Sequence, residues 1–194
     1  MSVGLKTLVL NSDGTALGTC GINTIPTEDA VCRVINDTCY VVESHDRKIQ
    51  TKNLDMYWPS VIATKQYISP PSMVRLRPTS LYYRDHGMCA YCGQLLTKTT
   101  KSDVSTSLTK DHVVPTSRGG SGDWDNIVAA CGRCNSLKGD EMPTGIWKPR
   151  IKPYAPTPRQ LMAIRRKFPL EISAENWIPY LGKWKGEIIL EQTA

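Results

Sequence analysis

The chain has 194 residues, of which 40% are hydrophobic and 22% charged, and its formal net charge is +6. That length suits one compact domain, or one with appendages, and the composition excludes a disordered tail. No run approaches the ~18 consecutive apolar residues of a membrane span, so no membrane partner is expected. The first residues, Met1 to Lys6, lack the apolar stretch of a signal peptide, and a cytoplasmic location follows as the expectation.

In chain order, residues 1–78 read as a mixed strand and helix segment. Thr7 to Leu10 is a short apolar strand, with a turn at Ser12-Asp13-Gly14. Thr27 is expected to cap a helix whose first turn carries Glu28 and Asp29, where the helix dipole favours acids. Ala30, Val31, Val34 and Ile35 recur at helical spacing behind it. Cys39–Val42, Val61–Ala63 and Met73–Leu76 read as strands, the last two separated by Pro70-Pro71. Nothing in this segment carries evident chemistry, and either a packing or a DNA-docking role fits it.

Residues 79–142 hold the strong signals. Thr79 or Ser80 could cap a short helix through Arg84, closed by Gly87. The Ser, Thr and Lys-rich run 97–110 reads as a polar loop or hairpin tip. Leu108–Val114 and Ile127–Ala130 read as strands around the loop Ser117-Arg118-Gly119-Gly120-Ser121-Gly122, and a helix should run from the second Cys pair to Lys138, stopped by Gly139. Residues 143–194 begin with five prolines in sixteen positions, an extended arm. Thr157 should then cap a basic helix with Pro158 in its first turn. Leu161, Ile164 and Phe168 would face inward, and Trp177 and Trp184 would pack the tail.

Seven cysteines without a secretory signal argue against a disulfide framework. Cys89-x-x-Cys92 and Cys131-x-x-Cys134 instead present two pairs of thiolates, the donor set of a closed tetrahedral zinc site. With no open position for water, one structural zinc per chain is expected. Cys20, Cys32 and Cys39 read as buried thiols. Between Met142 and Leu170 seven basic residues occur without an acid, namely Lys148, Arg150, Lys152, Arg159, Arg165, Arg166 and Lys167. Such a block on a nearly neutral body points to a polyanion partner. The alternative is a solvated tail.

Between and through the cysteines runs a further string: Asp111-His112-Val113-Val114-Pro115, Arg118-Gly119-Gly120, Trp124-Asp125-Asn126-Ile127, Cys131-x-x-Cys134-Asn135 and Lys138-Gly139. It resembles the HNH endonuclease family in its zinc-braced form, over about a quarter of the chain. Residues 1–78 loosely resemble the N-terminal halves of bacterial and phage HNH proteins. The resemblance implies an α+β chain with a small zinc-braced ββα-metal core at 79–142, an N-terminal mixed segment at 1–78 and a C-terminal basic helical extension at 143–194. It also implies cleavage to 5′-phosphate and 3′-hydroxyl ends. His112, Asn126 and Asn135 stand at the three letters of the motif.

The residues make chemical sense by themselves. Phosphodiester hydrolysis needs an activated water, a Lewis acid on the phosphate and charge relief on the leaving oxygen. His112 suits the general base. Asp111 and Asn135 offer oxygens to a hard divalent cation, Mg²⁺ or Mn²⁺. Adjacent strand residues diverge, which separates base from metal. For Asn126 it is the resemblance that implies a role: a side-chain amide bonded to backbone near His112, which orients the loop. Arg118 and Lys138, with the basic block, are candidate contacts to duplex DNA. A non-catalytic zinc-ribbon binding module and a ribonuclease are the competing readings. A phage, mobile-element or homing role, one in restriction, repair or phage packaging, the cutting of one strand or two, and monomer or homodimer all stay open.

Overall fold

The computed structural model describes residues 4–18, 21–98, 105–182 and 184–191. The chain is α+β and forms two compact units, Met1–Pro70 with Arg165–Ala194, and Pro71–Ile164. This division differs from the three-part reading. Residues 143–164 belong to the same unit as the Cys pairs, and 165–194 rejoin the N-terminal segment.

In the first unit, β1 (Lys6–Leu10), β2 (Thr24–Pro26), β3 (Cys39–Gln50) and β4 (Asp55–Thr64) form a sheet in the order β2-β1-β4-β3. β1 runs parallel to β4, and the other neighbours are antiparallel. Side chains alternate across a strand, and both faces of the centre are covered. Leu8, Leu10, Val61 and Ala63 pack with Leu170, Ile172, Trp177 and Leu181. Val9 and Ile62 pack with Ala30 of α1 (Thr27–Ile35) and with Cys39. Two-sided burial is why these strands are continuous apolar runs in the sequence. The outer halves of β3 and β4 are exposed or half-buried rather than buried, so Cys39–Val42 and Val61–Ala63 mark only the inner ends of the two strands.

Three expectations for residues 1–78 are corrected. Thr27 is the first helical residue rather than the cap, and its hydroxyl lies 3.2 Å from that of Thr7, whose proton goes to the Pro59 carbonyl at 2.6 Å. Cys32 is exposed, since it lies off the α1 face that carries Ala30 and Val31; Cys39 is buried. Cys20 lies outside the described residues. Met73–Leu76 is not a strand: hemmed by prolines at 70, 71 and 78, it pairs with no neighbour, and the Val74 carbonyl accepts from the Trp124 indole at 2.9 Å. In the same unit as the sheet, Trp177 is fully buried and donates to the Ser60 carbonyl at 2.9 Å. β7 (Leu170–Ile172) pairs parallel with β8 (Ile188–Leu190), and Trp184 donates to the Phe168 carbonyl at 3.0 Å.

The second unit contains α2 (Pro78–Arg84), β5 (Leu108–His112), β6 (Ile127–Cys131) and α3 (Gly132–Lys138). β5 and β6 are an antiparallel pair, and α3 leads straight out of β6. That is the expected ββα order. β6 is buried along its whole length among Leu81, Tyr91, Leu96 and Val113. Of the polar run 97–110, residues 99–104 lie outside the described residues.

The Pro-rich segment is extended but not a free arm. Trp147 meets the Tyr91 ring edge-on at 5.7 Å, and Arg150 donates its backbone N–H to Ala90 and its Nε to Tyr91, both at 2.9 Å. A chain without internal bonds thus finds partners on the core. Arg84 completes the docking. It is fully buried, grips Asp85 at 2.7 and 2.9 Å, and donates to the carbonyls of Trp124, Ile127 and Tyr154 at 2.7–3.1 Å. All five of its N–H groups are thereby used. Thr157 caps α4 (Pro158–Arg165) as expected: its hydroxyl accepts from the Gln160 N–H at 3.3 Å, and Gln160 accepts from the Thr157 N–H at 2.9 Å.

Candidate functional site

The two Cys pairs meet where β6 gives way to α3. Cys89 opens a tight turn in which its carbonyl accepts from the Gly93 N–H at 2.9 Å, and Gly93 takes φ = 77°, a conformation glycine adopts without strain. Cys131 stands at the N-cap of α3, its sulfur facing the Cys134 N–H at 3.4 Å. The four sulfurs lie within 4.8 Å of one another, and those of Cys92 and Cys131 are 4.0 Å apart. Four sulfurs about 2.3 Å from a tetrahedral zinc stand ~3.8 Å apart, so the cluster fits that ion. Burial pushes the Cys131 and Cys134 thiols up, helped by the nearby Cys89 sulfur. A bound dication reverses that bias, because a coordinating thiol loses its proton.

β5 carries Asp111 and His112 at its end, with opposite exposures. Asp111 is buried, and His112 is half-buried with no side-chain hydrogen bond among the described residues. Asn126 binds the chain just beyond them. Its Oδ1 accepts from the Val114 N–H at 2.8 Å, and its Nδ2 donates to the carbonyls of Val114 and Ser121 at 3.0 and 2.7 Å. Gly120 completes this turn. A Cβ there would stand 1.8 Å from the Val114 carbonyl oxygen and 2.8 Å from Asn126 Nδ2, so only glycine lets the loop close. Asn135, on α3, donates to Thr109 Oγ1 at 3.0 Å and to the Lys110 carbonyl at 3.4 Å. With its nitrogen committed to β5, the amide leaves its oxygen for another partner.

Asp111 is not left to water. The Tyr91 hydroxyl donates to it, and Lys138 Nζ stands 3.2 and 3.4 Å from its two oxygens. The same ammonium donates to the His112 carbonyl at 2.7 Å. Burial, and then the Asp111 carboxylate, hold the Tyr91 phenol well above its ordinary pKa, so it stays a donor. Carboxylate and amide oxygens are the donors a hard cation prefers, and by chemistry Asp111 and Asn135 fit one.

Two expected DNA contacts are corrected. Lys138 is buried, because it turns inward to Asp111. Arg165 is buried too: it donates to the Phe168 and Pro169 carbonyls at 3.4 and 2.9 Å and stacks on Trp184 at 4.6 Å. Lys148, Lys152, Arg159 and Lys167 are exposed and Arg166 half-exposed, while Arg150 and Arg118 are surface residues that also bond Tyr91 and Asp140. Sequence reasoning missed Tyr91, Gly120 and the Arg84–Asp85 pair. Tyr91 sits inside the first Cys pair, and Gly120 ends a Gly-Gly step before Asn126, signals that were legible. Nothing in the spacing of Arg84 and Asp85 announced their burial.

Residues 89–141 match the HNH endonuclease family, and residues 7–72 match the HNH endonuclease-associated N-terminal domain. No curated protein matches the chain. The HNH endonuclease domain, flanked by four cysteines that could hold zinc, supports a nuclease-type function and with it binding of nucleic acid. No helix among the described residues is long and apolar enough to cross a membrane.

Proposed function

We propose that the protein is a metal-dependent DNA endonuclease in which His112 is the general base, Asp111 and Asn135 hold a catalytic divalent cation, and the four cysteines hold a structural zinc. The observation that carries this reading is that the three side chains belong to one ββα unit, with Asp111 and His112 at the end of β5 and Asn135 bonded to Thr109 and Lys110 of the same strand. A half-buried His112 with no side-chain hydrogen bond among the described residues, a buried Asp111 and the Asn135 amide come from β5 and the helix that follows its partner strand, inside the matched segment. A zinc-ribbon binding module has no use for that set.

His112 would take the proton from the attacking water, which needs an imidazole nitrogen that is not already engaged. Asn126 bonds both backbone groups of Val114, in a turn that Gly120 lets close, and through it would orient the His112 ring. The cation would supply a Lewis acid on the phosphate and charge relief at the leaving oxygen. The exposed cations Lys148, Lys152, Arg159 and Lys167, with Arg118, Arg150 and Arg166, would neutralise backbone phosphates. The test is incubation with supercoiled plasmid, with and without Mg²⁺ or Mn²⁺. Metal-dependent nicked or linear product, lost in His112→Ala, is the expected result. An intact plasmid under all conditions would leave the binding-module reading.

A further inference from the structure

The cation nearest Asp111 is one of the chain's own. Lys138 is fully buried, faces both Asp111 oxygens and bonds the His112 carbonyl. A buried ion pair is weak evidence for stability, since apolar residues of like volume often serve as well. The pair is also placed where fold alone gives no reason for a charge, because it ties together the two residues of the candidate centre. Any divalent cation that takes a lone pair of Asp111 comes within reach of that ammonium, and like charges in a shielded site repel strongly.

We propose that Lys138 is a positioning residue that balances the Asp111 charge, so that a divalent cation binds firmly only when a DNA phosphate brings further negative charge. This rests on the nuclease reading of Asp111, His112 and Asn135. The free protein would carry a carboxylate already oriented by Tyr91 and Lys138, with its negative charge largely cancelled. Duplex DNA would supply what is missing, and by reciprocity the cation would tighten DNA binding by the same factor.

The test uses the zinc-loaded full chain in a His112→Ala background, so that duplex stays uncut. Mn²⁺ binding is followed from the electron paramagnetic resonance of the free ion, with and without duplex. Lys138→Gln keeps an N–H donor for the His112 carbonyl but removes the charge, and Lys138→Met keeps only the stem. The expected result is weak Mn²⁺ binding without DNA in the parent, tightened by about tenfold or more with duplex. Both variants should bind Mn²⁺ about tenfold more tightly without DNA, and the gain from duplex should shrink. A residue that merely braced the fold would give weaker binding in both conditions, and unchanged or weaker DNA-free binding overturns the proposal. If Lys138→Met and Lys138→Gln fail to fold, Lys138→Arg keeps the charge and must keep the weak DNA-free binding; tighter binding there overturns it as well. Failure of the underlying reading looks different: the plasmid stays intact with the wild-type chain, and Asp111→Asn leaves Mn²⁺ binding unaltered.

Discussion

In the first unit the central strands β1 and β4 bury apolar side chains on both faces, with Trp177 as the largest of them. In the second unit Arg84, Asp85, Asp111 and Lys138 are buried, beside four cysteine sulfurs. The first interior is mainly apolar, and its buried charge, Arg165, is met by backbone carbonyls and the Trp184 ring. The other depends on each charge meeting its partner, since an uncompensated buried charge is far more costly than a lost methyl group. The contrast teaches where the chemistry belongs: the polar, metal-fitting interior is also the segment that matches the HNH endonuclease family.

Removing the metal should break this comparison most. Structural zinc contributes about 10–16 kcal/mol in small sites, as much as the whole stability of an ordinary domain, ~5–15 kcal/mol. Purified chain should carry near one zinc by elemental analysis. Chelation, or Cys131→Ser, should strip amide protection from β5, β6 and α3 while β1 and β4 keep theirs, as read by hydrogen exchange. Equal loss in both units would mean that the first is not self-supporting. A metal-free chain with full protection would remove zinc from the account.

Next comes the separation of chemistry from folding within the second unit. His112→Ala should lower plasmid cleavage by about 10²–10⁴-fold with little change in melting temperature, because its ring makes no hydrogen bond among the described residues. Asp111→Ala should abolish cleavage and also destabilise, since it strands Lys138 in the interior. Equal stability losses in the two variants would contradict the asymmetry seen at the end of β5.

Arg84→Met should cost about 3–5 kcal/mol, the usual penalty for leaving one buried partner, here Asp85, without the other. The double replacement Arg84→Met with Asp85→Leu should recover part of that loss in denaturant titrations. No recovery would show that the backbone groups the pair satisfies, the carbonyls of Trp124, Ile127 and Tyr154 and the Ala129 N–H that bonds Asp85 at 2.7 Å, matter more than the ion pair.

The same contrast explains what the sequence disclosed. Regular apolar runs exposed β1, β4 and β6, and close Cys spacing exposed the four-sulfur cluster, because periodicity and spacing are local properties. The capping box at Thr157 and Gln160 is local as well. The Arg84 hub joins residues 84, 124, 127 and 154, and no local pattern carries that. Lys138 follows Asn135 by three residues, a spacing that puts both on one helix face and suggests a contact to DNA. Its four-carbon stem instead turns the ammonium inward to Asp111. The outer ends of β3 and β4, residues 43–50 and 55–58, mix charged, polar and apolar residues without a regular alternation, so no periodicity marks them as strand.

The smallest effect separates charges that are merely basic from those free to meet DNA. Arg159 and Arg165 belong to the same run of cations, but Arg159 is exposed whereas Arg165 is buried against Trp184 and two carbonyls. A side chain that neutralises one phosphate contributes ~0.9 to the slope of log affinity against log salt on duplex DNA. Arg159→Gln should therefore reduce that slope by about 0.9 and leave the melting temperature alone. Arg165→Gln should lower the melting temperature, because it removes the stacking and leaves carbonyls unpaired, while the slope stays as in the parent. Single replacements of Lys148, Lys152 and Lys167 should behave like Arg159. Fluorescence anisotropy of a labelled duplex across salt, beside thermal melts, reads both quantities on the same protein. A slope change in Arg165→Gln without a stability change would mean that Arg165 reaches the phosphates after all. An unchanged slope in all the exposed variants would mean that the basic block is a solvated surface and that DNA is held elsewhere.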